Sequence, residues 1–225
     1  MVNRSIIERV FKIGYLNVYG TAFTYEYNSK QFCVTAKHIF ENGNYPTNTK
    51  IVFYKNGNDS LEKDVIIHYH TNPKVDIAVI EFLDDFTLSL KFEINLGTND
   101  IYYSQDIFYL GYPLGLDMSS QALREYPFPL VKKGIISAFI NNDDITTLLL
   151  DGMNNKGFSG GPVISEGSNK EMKVIGVISG YIPIIDPLVD KNRNYITSNV
   201  FQIQNSGIFI AYGSDHIFEI LNNIK

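Results

Sequence analysis

Lys156-Gly157-Phe158-Ser159-Gly160-Gly161-Pro162 is the stretch on which the reading of this 225-residue chain turns. A serine set among glycines stands clear of bulky neighbours, and glycine lets the backbone turn sharply around it. The N–H groups of Gly157 and Ser159 can then converge on one point, the geometry that a developing oxyanion requires. A plain glycine-rich turn is the alternative. From ordinary residue frequencies, the pattern Gly-x-Ser-Gly-Gly-Pro has a chance expectation of about a few in ten thousand in a chain of this length, which favours the chemical reading.

A serine hydroxyl is a weak nucleophile; it needs a base, and the base needs an orienting carboxylate. The chain has four histidines. His38 ends Val34-Thr35-Ala36-Lys37-His38, where a strand finishes and a short turn begins, so its ring is held at a rigid edge. His68 and His70 alternate along a polar strand without a third ligand nearby, which makes a poor metal site and reads as a solvated face. His216 opens the last helical segment and reads as a surface residue. For the acid, Asp76 stands directly before the apolar run Ile77-Ala78-Val79-Ile80, where the core can fix it; Glu81, Asp84 and Asp85 lie near a strand end and read as solvated.

The surrounding sequence is strand-rich. Aromatic and β-branched runs occupy residues 20–27 and 31–36, with Asn28-Ser29 between them as a hairpin turn. Further runs lie at 51–55, 64–70, 76–83, 106–110, 131–140, 145–150, 173–178 and 207–212, punctuated by Asn- and Gly-rich breakers, which predicts a sandwich or barrel. Ile217, Ile220, Leu221 and Ile224 fall at helical spacing, with Ser214 or Asp215 as the expected cap. Two β units and a closing helix result, joined through residues 95–104, and no internal repeat is visible in the sequence. Tyr 15 and Phe 15 suit strands. Lys+Arg 19 against Asp+Glu 24 argues against a nucleic-acid partner, because phosphate contacts need clustered cations. One cysteine, Cys33, permits no internal disulfide and reads as core filler. The charged N-terminal stretch and the short, broken apolar runs predict neither a signal peptide nor a membrane span, so the expected compartment is cytoplasmic.

Thr35-Ala36-Lys37-His38, Asp76-Ile77-Ala78-Val79 and Gly157-Phe158-Ser159-Gly160-Gly161-Pro162, in that order, resemble the three catalytic motifs of chymotrypsin-fold (trypsin-like) serine proteases. Gly20-Thr21-Ala22-Phe23, Leu96-Gly97-Thr98, Gly111-Tyr112-Pro113-Leu114-Gly115 and Lys133-Gly134-Ile135-Ile136-Ser137 are similar to the bacterial high-temperature-requirement branch. The similarity runs from about residue 11 to 222. It implies an all-β fold of two six-stranded antiparallel β-barrels with a C-terminal α-helix. The N-terminal barrel (1–97) would carry His38 and Asp76, and the C-terminal barrel (98–225) Ser159.

The resemblance further implies Ser159 as nucleophile, His38 as general base, Asp76 as its orienting acid, and the N–H groups of Gly157 and Ser159 as the oxyanion hole. Ser179, Gly180 and Tyr181 would pair with an extended substrate. Met153 would floor the primary specificity pocket and Gly207 line its wall, which disfavours cleavage after Lys or Arg. The expected partner is a protein or peptide substrate, with no metal or organic cofactor. Three departures stand out. Phe158 stands where digestive members have the aspartate that pairs with a new N-terminal amine, the branch's peptide-binding domain is not expected here, and Lys37 sits where a small residue is usual, either pointing outward or, as a cation near His38, lowering that imidazole's pKa. The alternative to a working peptidase is a latent or catalytically silent peptide-binding module switched on by an activating protein. Residues 116–129 are expected as a loop near the cleft, and residues 182–205 as a lid, a docking loop or surface ornament. An esterase of the nucleophile-elbow type fails on motif and on chain order.

Overall fold

Apolar residues alternate along strands such as Asn48–Tyr54 and Ser60–Tyr69, while Val10–Tyr15, Lys30–Thr35 and Pro162–Glu166 are buried on both faces, and a closed barrel buries these surfaces without leaving an edge. The structure, a computed structural model, describes residues 2–90, 93–117, 125–168, 170–188, 190, 192, 194 and 200–224. After a short helix α1 (Arg4–Ile7), six strands follow: β1 (Val10–Tyr15), β2 (Val18–Tyr27), β3 (Lys30–Thr35), β4 (Asn48–Tyr54), β5 (Ser60–Tyr69) and β6 (Ala78–Phe82). They close in the order β1-β2-β3-β6-β5-β4 around Phe11, Ile13, Cys33, Ile51, Phe53, Ile80 and Phe82. Asn28 and Ser29 have φ of 48° and 66°, as the expected hairpin turn demands.

The two-residue strand β7 (Asn95–Leu96) leads to β8 (Asp106–Gly111), β9 (Leu130–Asn142), β10 (Ile145–Asp151), β11 (Pro162–Glu166), β12 (Met172–Pro187) and β13 (Phe201–Gly213). Their sheet runs β11-β8-β9-β10-β13-β12-β7, and β11 also pairs with β12, so β8 to β13 form a ring with β7 added in parallel to β12. Tyr109, Ile136, Leu148, Phe158, Ile178 and Phe209 fill it. Counted from its own first strand, this ring has the same 1-2-3-6-5-4 order as the first barrel. The repeat that the sequence does not display is therefore present in topology.

Several expectations are corrected. β1 lies in the charge-interrupted N-terminal stretch: Arg9 is only 2% exposed because its guanidinium pairs with Glu26 at 2.6 Å and bonds the Thr24 carbonyl. Residues 182–187 and 201–205, expected as a loop, extend β12 and β13 into a ribbon, with Ile185 opposite Ile203 and Pro187 opposite Phe201. In the 116–129 segment, residues 118–124 lie outside the described residues; Tyr126 reaches the first barrel and meets Phe11 edge-on at 5.0 Å. The closing helix α2 (Asp215–Leu221) buries Ile217, Ile220 and Leu221 as expected, but neither proposed side chain caps it. Ser214 Oγ instead donates to the Val174 carbonyl and accepts from Gly97 N, and Asp215 accepts from Thr98 N. Among the described residues no helix is long and apolar enough to cross a membrane.

Candidate active site

His38 sits in the 3-10 turn Lys37–Gly43 that follows β3, and Asp76 in the loop before β6; since β3 pairs with β6, the two side chains meet at one end of the first barrel. Asp76 Oδ2 accepts from His38 Nδ1 at 2.7 Å, and Oδ1 accepts from the His38 main-chain N–H at 2.8 Å. That pair fixes the ring and places its proton on Nδ1, leaving Nε2 with the lone pair. Ser179 Oγ, on β12 of the second ring, also donates to Asp76 Oδ2. Ser159 Oγ donates to the Ser179 carbonyl at 3.0 Å, and among the described residues it has no hydrogen bond to His38. The cleft between the rings is lined by Val18, Tyr19, His38, Leu114, Lys156, Gly157 and Ser159.

Burial alone would push the His38 pKa down, but hydrogen bonding to Asp76, its charge and that of Glu41 outweigh it, and the pKa stands above its ordinary 6.5. Burial would raise Asp76; hydrogen bonding and attraction from His38, with the Ser179 hydroxyl, hold it below its ordinary range. Of the two orientations open to Lys37, the outward one is observed: its ammonium donates to the Pro73 carbonyl.

The turn before Ser159 is held through its carbonyls. Met153 O accepts from Tyr109 Oη (3.2 Å) and Lys132 Nζ, and Asn154 O from Asn205 Nδ2. Asn155 O accepts from Phe158 N, Lys156 O from Leu114 N at 2.7 Å, and Gly157 O from Thr21 Oγ1 at 2.6 Å. Phe158 O and Ser159 O accept from Gly161 N and Thr21 N, each at 2.8 Å. Among the described residues, the N–H groups of Gly157 and Ser159 have no protein partner. Gly157 has φ +104°, and a Cβ there would lie 2.1 Å from the Tyr112 carbonyl, so only glycine fits this corner. Thr21, Leu114 and Lys132 are partners that sequence reasoning missed; the Gly20-Thr21 and Pro113-Leu114-Gly115 motifs were the available signals for the first two.

The expected substrate-binding residues gather beside this turn. Gly180 O accepts from Asn154 Nδ2 at 3.1 Å, Gly207 O from Gly152 N at 2.8 Å, and Tyr181 packs on the second core. Met153 is 47% exposed.

The remaining histidines are paired rather than free in solvent: His68 and His70 are part-buried and His216 is buried. His68 Nε2 meets Glu81 at 2.6 Å, and His216, expected at the surface, is 1% exposed. His70, His216 and Glu219 lie close enough to suggest a metal trio. Their hydrogen bonds argue otherwise. Asn72 N donates to His70 Nδ1 (3.0 Å) and Thr146 N to His216 Nε2 (3.1 Å), so the nitrogens facing Glu219 carry the protons and offer no lone pair.

Residues 20–177 match the family model described as a trypsin-like peptidase domain. No curated protein matches the chain. Among solved structures, the chain is similar to the HtrA-type protease AlgW with a tripeptide (TM-score 0.61, 17% identity, 98% of this chain and 61% of that one). It is also similar to the active form of the Rv3671c protease from M. tuberculosis (TM-score 0.60, 16% identity, 97% and 82%) and to Deg5 (TM-score 0.56, 19%, 78% and 81%).

Proposed function

Because the chain belongs to the trypsin-like peptidase family, we propose that it is a serine endopeptidase working through Ser159, His38 and Asp76. The observation that carries this reading is the carbonyl accounting of the turn. With all the carbonyls from 153 to 159 engaged, those of Lys156 and Gly157 among them, none is free to fill the position where an oxyanion would form, and two N–H groups remain for it.

The reaction needs the Ser159 hydroxyl to turn from the Ser179 carbonyl to His38 Nε2, both residues lining the same cleft. Nε2 takes the hydroxyl proton as Oγ bonds to the scissile carbonyl carbon, and Asp76 stabilises the imidazolium. The carbonyl oxygen, now negative, accepts from Gly157 N and Ser159 N. The C–N bond breaks as Nε2 returns the proton to the amine, and water repeats the sequence on the ester. The substrate would be a protein or peptide paired along Ser179, Gly180 and Tyr181. A methionine rather than an acid at position 153, the expected pocket floor, favours a small or medium apolar side chain before the cleaved bond. No step calls for a metal or organic cofactor.

A latent module switched by a partner is the second reading, and the resting position of the Ser159 hydroxyl is its support. The tied carbonyls of Lys156 and Gly157 weigh against it. A fluorophosphonate probe and casein hydrolysis decide: the native chain labels and hydrolyses, and Ser159→Ala loses both, with a rate loss of about 10⁶. Equal hydrolysis by both proteins would overturn the assignment; labelling only after a partner is added would establish latency.

A further inference from the structure

We propose that Lys132 is a positioning residue: its ammonium fastens the turn that carries the Gly157 and Ser159 N–H groups, in a chain whose residue before the serine, Phe158, can form no ion pair. This rests on the peptidase reading above. Lys132 lies on β9 opposite Tyr109 of β8, on the face that lines the interior of the second ring. Its Nζ donates to the Met153 carbonyl at the start of the turn, and lies 5.7 Å from the Tyr109 ring centre and 5.9 Å from that of Phe158. Both distances are within cation–π range. The ammonium therefore grips the turn twice, at the Met153 main chain and at the ring of the residue adjoining Ser159. Phe158 is fully buried against Tyr109, with ring centres 5.1 Å apart, so the grip acts on a rigid stack.

Every other donor to the carbonyls of residues 153–159 is a neutral hydroxyl, amide side chain or main-chain N–H; Lys132 is the charged one among the described residues. Hydrogen bonds with an ionised partner are roughly twice as strong as neutral ones. The titratable groups on the elements around it are Tyr109 and Asp106 on β8, Lys133 on β9, Asp151 at the end of β10 and Lys156 in the turn. Lys133 engages Asp106 at 2.7 Å, and among the described residues Lys132 has no ion pair of its own. Burial lowers the Lys132 pKa from 10.5, and burial with the Asp151 charge pushes the Tyr109 phenol up to about 12.

Contacts to an oxyanion strengthen in the transition state, so a slackened turn lowers kcat and spares KM. The test measures both constants across pH for the native chain, Lys132→Met and Lys132→Arg, with thermal melts and with Ser159→Ala as blank. Lys132→Met is expected to lose kcat by about tenfold to a hundredfold with KM little changed. The native chain should lose kcat at alkaline pH, with a midpoint below 10.5, as the ammonium gives up its proton. Lys132→Arg should hold kcat and stay active beyond that limb. A Met variant with native kcat, an Arg variant as poor as the Met one, or the same alkaline limb in the Arg variant would each overturn the inference while leaving the peptidase standing. Should Lys132→Met fail to fold, the Arg profile decides alone. A native chain that neither labels nor hydrolyses would sink the peptidase reading and this inference with it.

Discussion

In the proposed mechanism a proton on His38 Nε2 blocks its role as base, so the pKa of that ring would set the acid side of activity. The pull of Asp76 holds it above 6.5 against burial, and the sign follows: kcat rises with pH, with a midpoint above 6.5. Asp76→Asn removes the carboxylate that raises the pKa and fixes the proton on Nδ1. Its expected signature is a midpoint shifted downward together with a kcat loss of about 10⁴. Steady-state kinetics from acid to neutral pH separates the two effects, and a variant whose midpoint stays put would show that Asp76 does not govern the ring. Ser179 adds a hydroxyl donor to the same carboxylate from the other ring, so the pair straddles the cleft.

At the scale of the element, residues 152–161 act as one part. Two glycines meet needs no other residue can: Gly157 at φ +104° beside the Tyr112 carbonyl, and Gly160 at φ +84°, where a Cβ would lie 2.1 Å from the Thr21 carbonyl. Gly157→Ala puts a methyl group against main chain that cannot yield, and displaces one oxyanion donor. The expected loss is about 10²–10³ in kcat with fluorophosphonate labelling slowed alongside; unchanged turnover would place the oxyanion elsewhere. This element also marks what a sequence can reveal. The sharp turn at Gly157 and Gly160 around Ser159 was legible because its geometry is local, carried by glycine conformations and a flanked serine. Thr21 and Leu114 stand in motifs that the sequence displays without showing what they touch, and Lys132 and Asn205 carry no signal, since each reaches the turn from a distant strand and spacing along the chain holds no trace of that approach. The ribbon of β12 and β13 escaped for another reason: its Pro, Asp and Asn content reads as loop, while pairing over its length overrides local preference.

Over the whole molecule, the catalytic cleft exists only while the two rings keep their relation, and helix α2 joins them. Though it follows the second ring, it packs on the first: Phe218 meets Tyr25 edge-on at 5.9 Å, and Tyr27 Oη donates to Asn222 at 2.6 Å. Glu219 completes the link by accepting from His216 of its own helix and from His70, which follows β5. The same arrangement that leaves no lone pair for a metal makes this an acid-sensitive junction. Burial would raise the Glu219 pKa, but hydrogen bonds from His70 and His216 hold it below its ordinary 4.5. A carboxylate depressed in the folded state stabilises it above the unfolded pKa and ceases to do so as pH falls through the folded one. Glu219→Gln lacks that titration. Its melting temperature should therefore lie below that of the native chain near neutral pH, with the gap closing below pH 4.5 as the native carboxylate becomes protonated. Melts at matched ionic strength test this. A gap that stays constant with pH would mean that packing of the helix, rather than the charge on Glu219, holds the rings together.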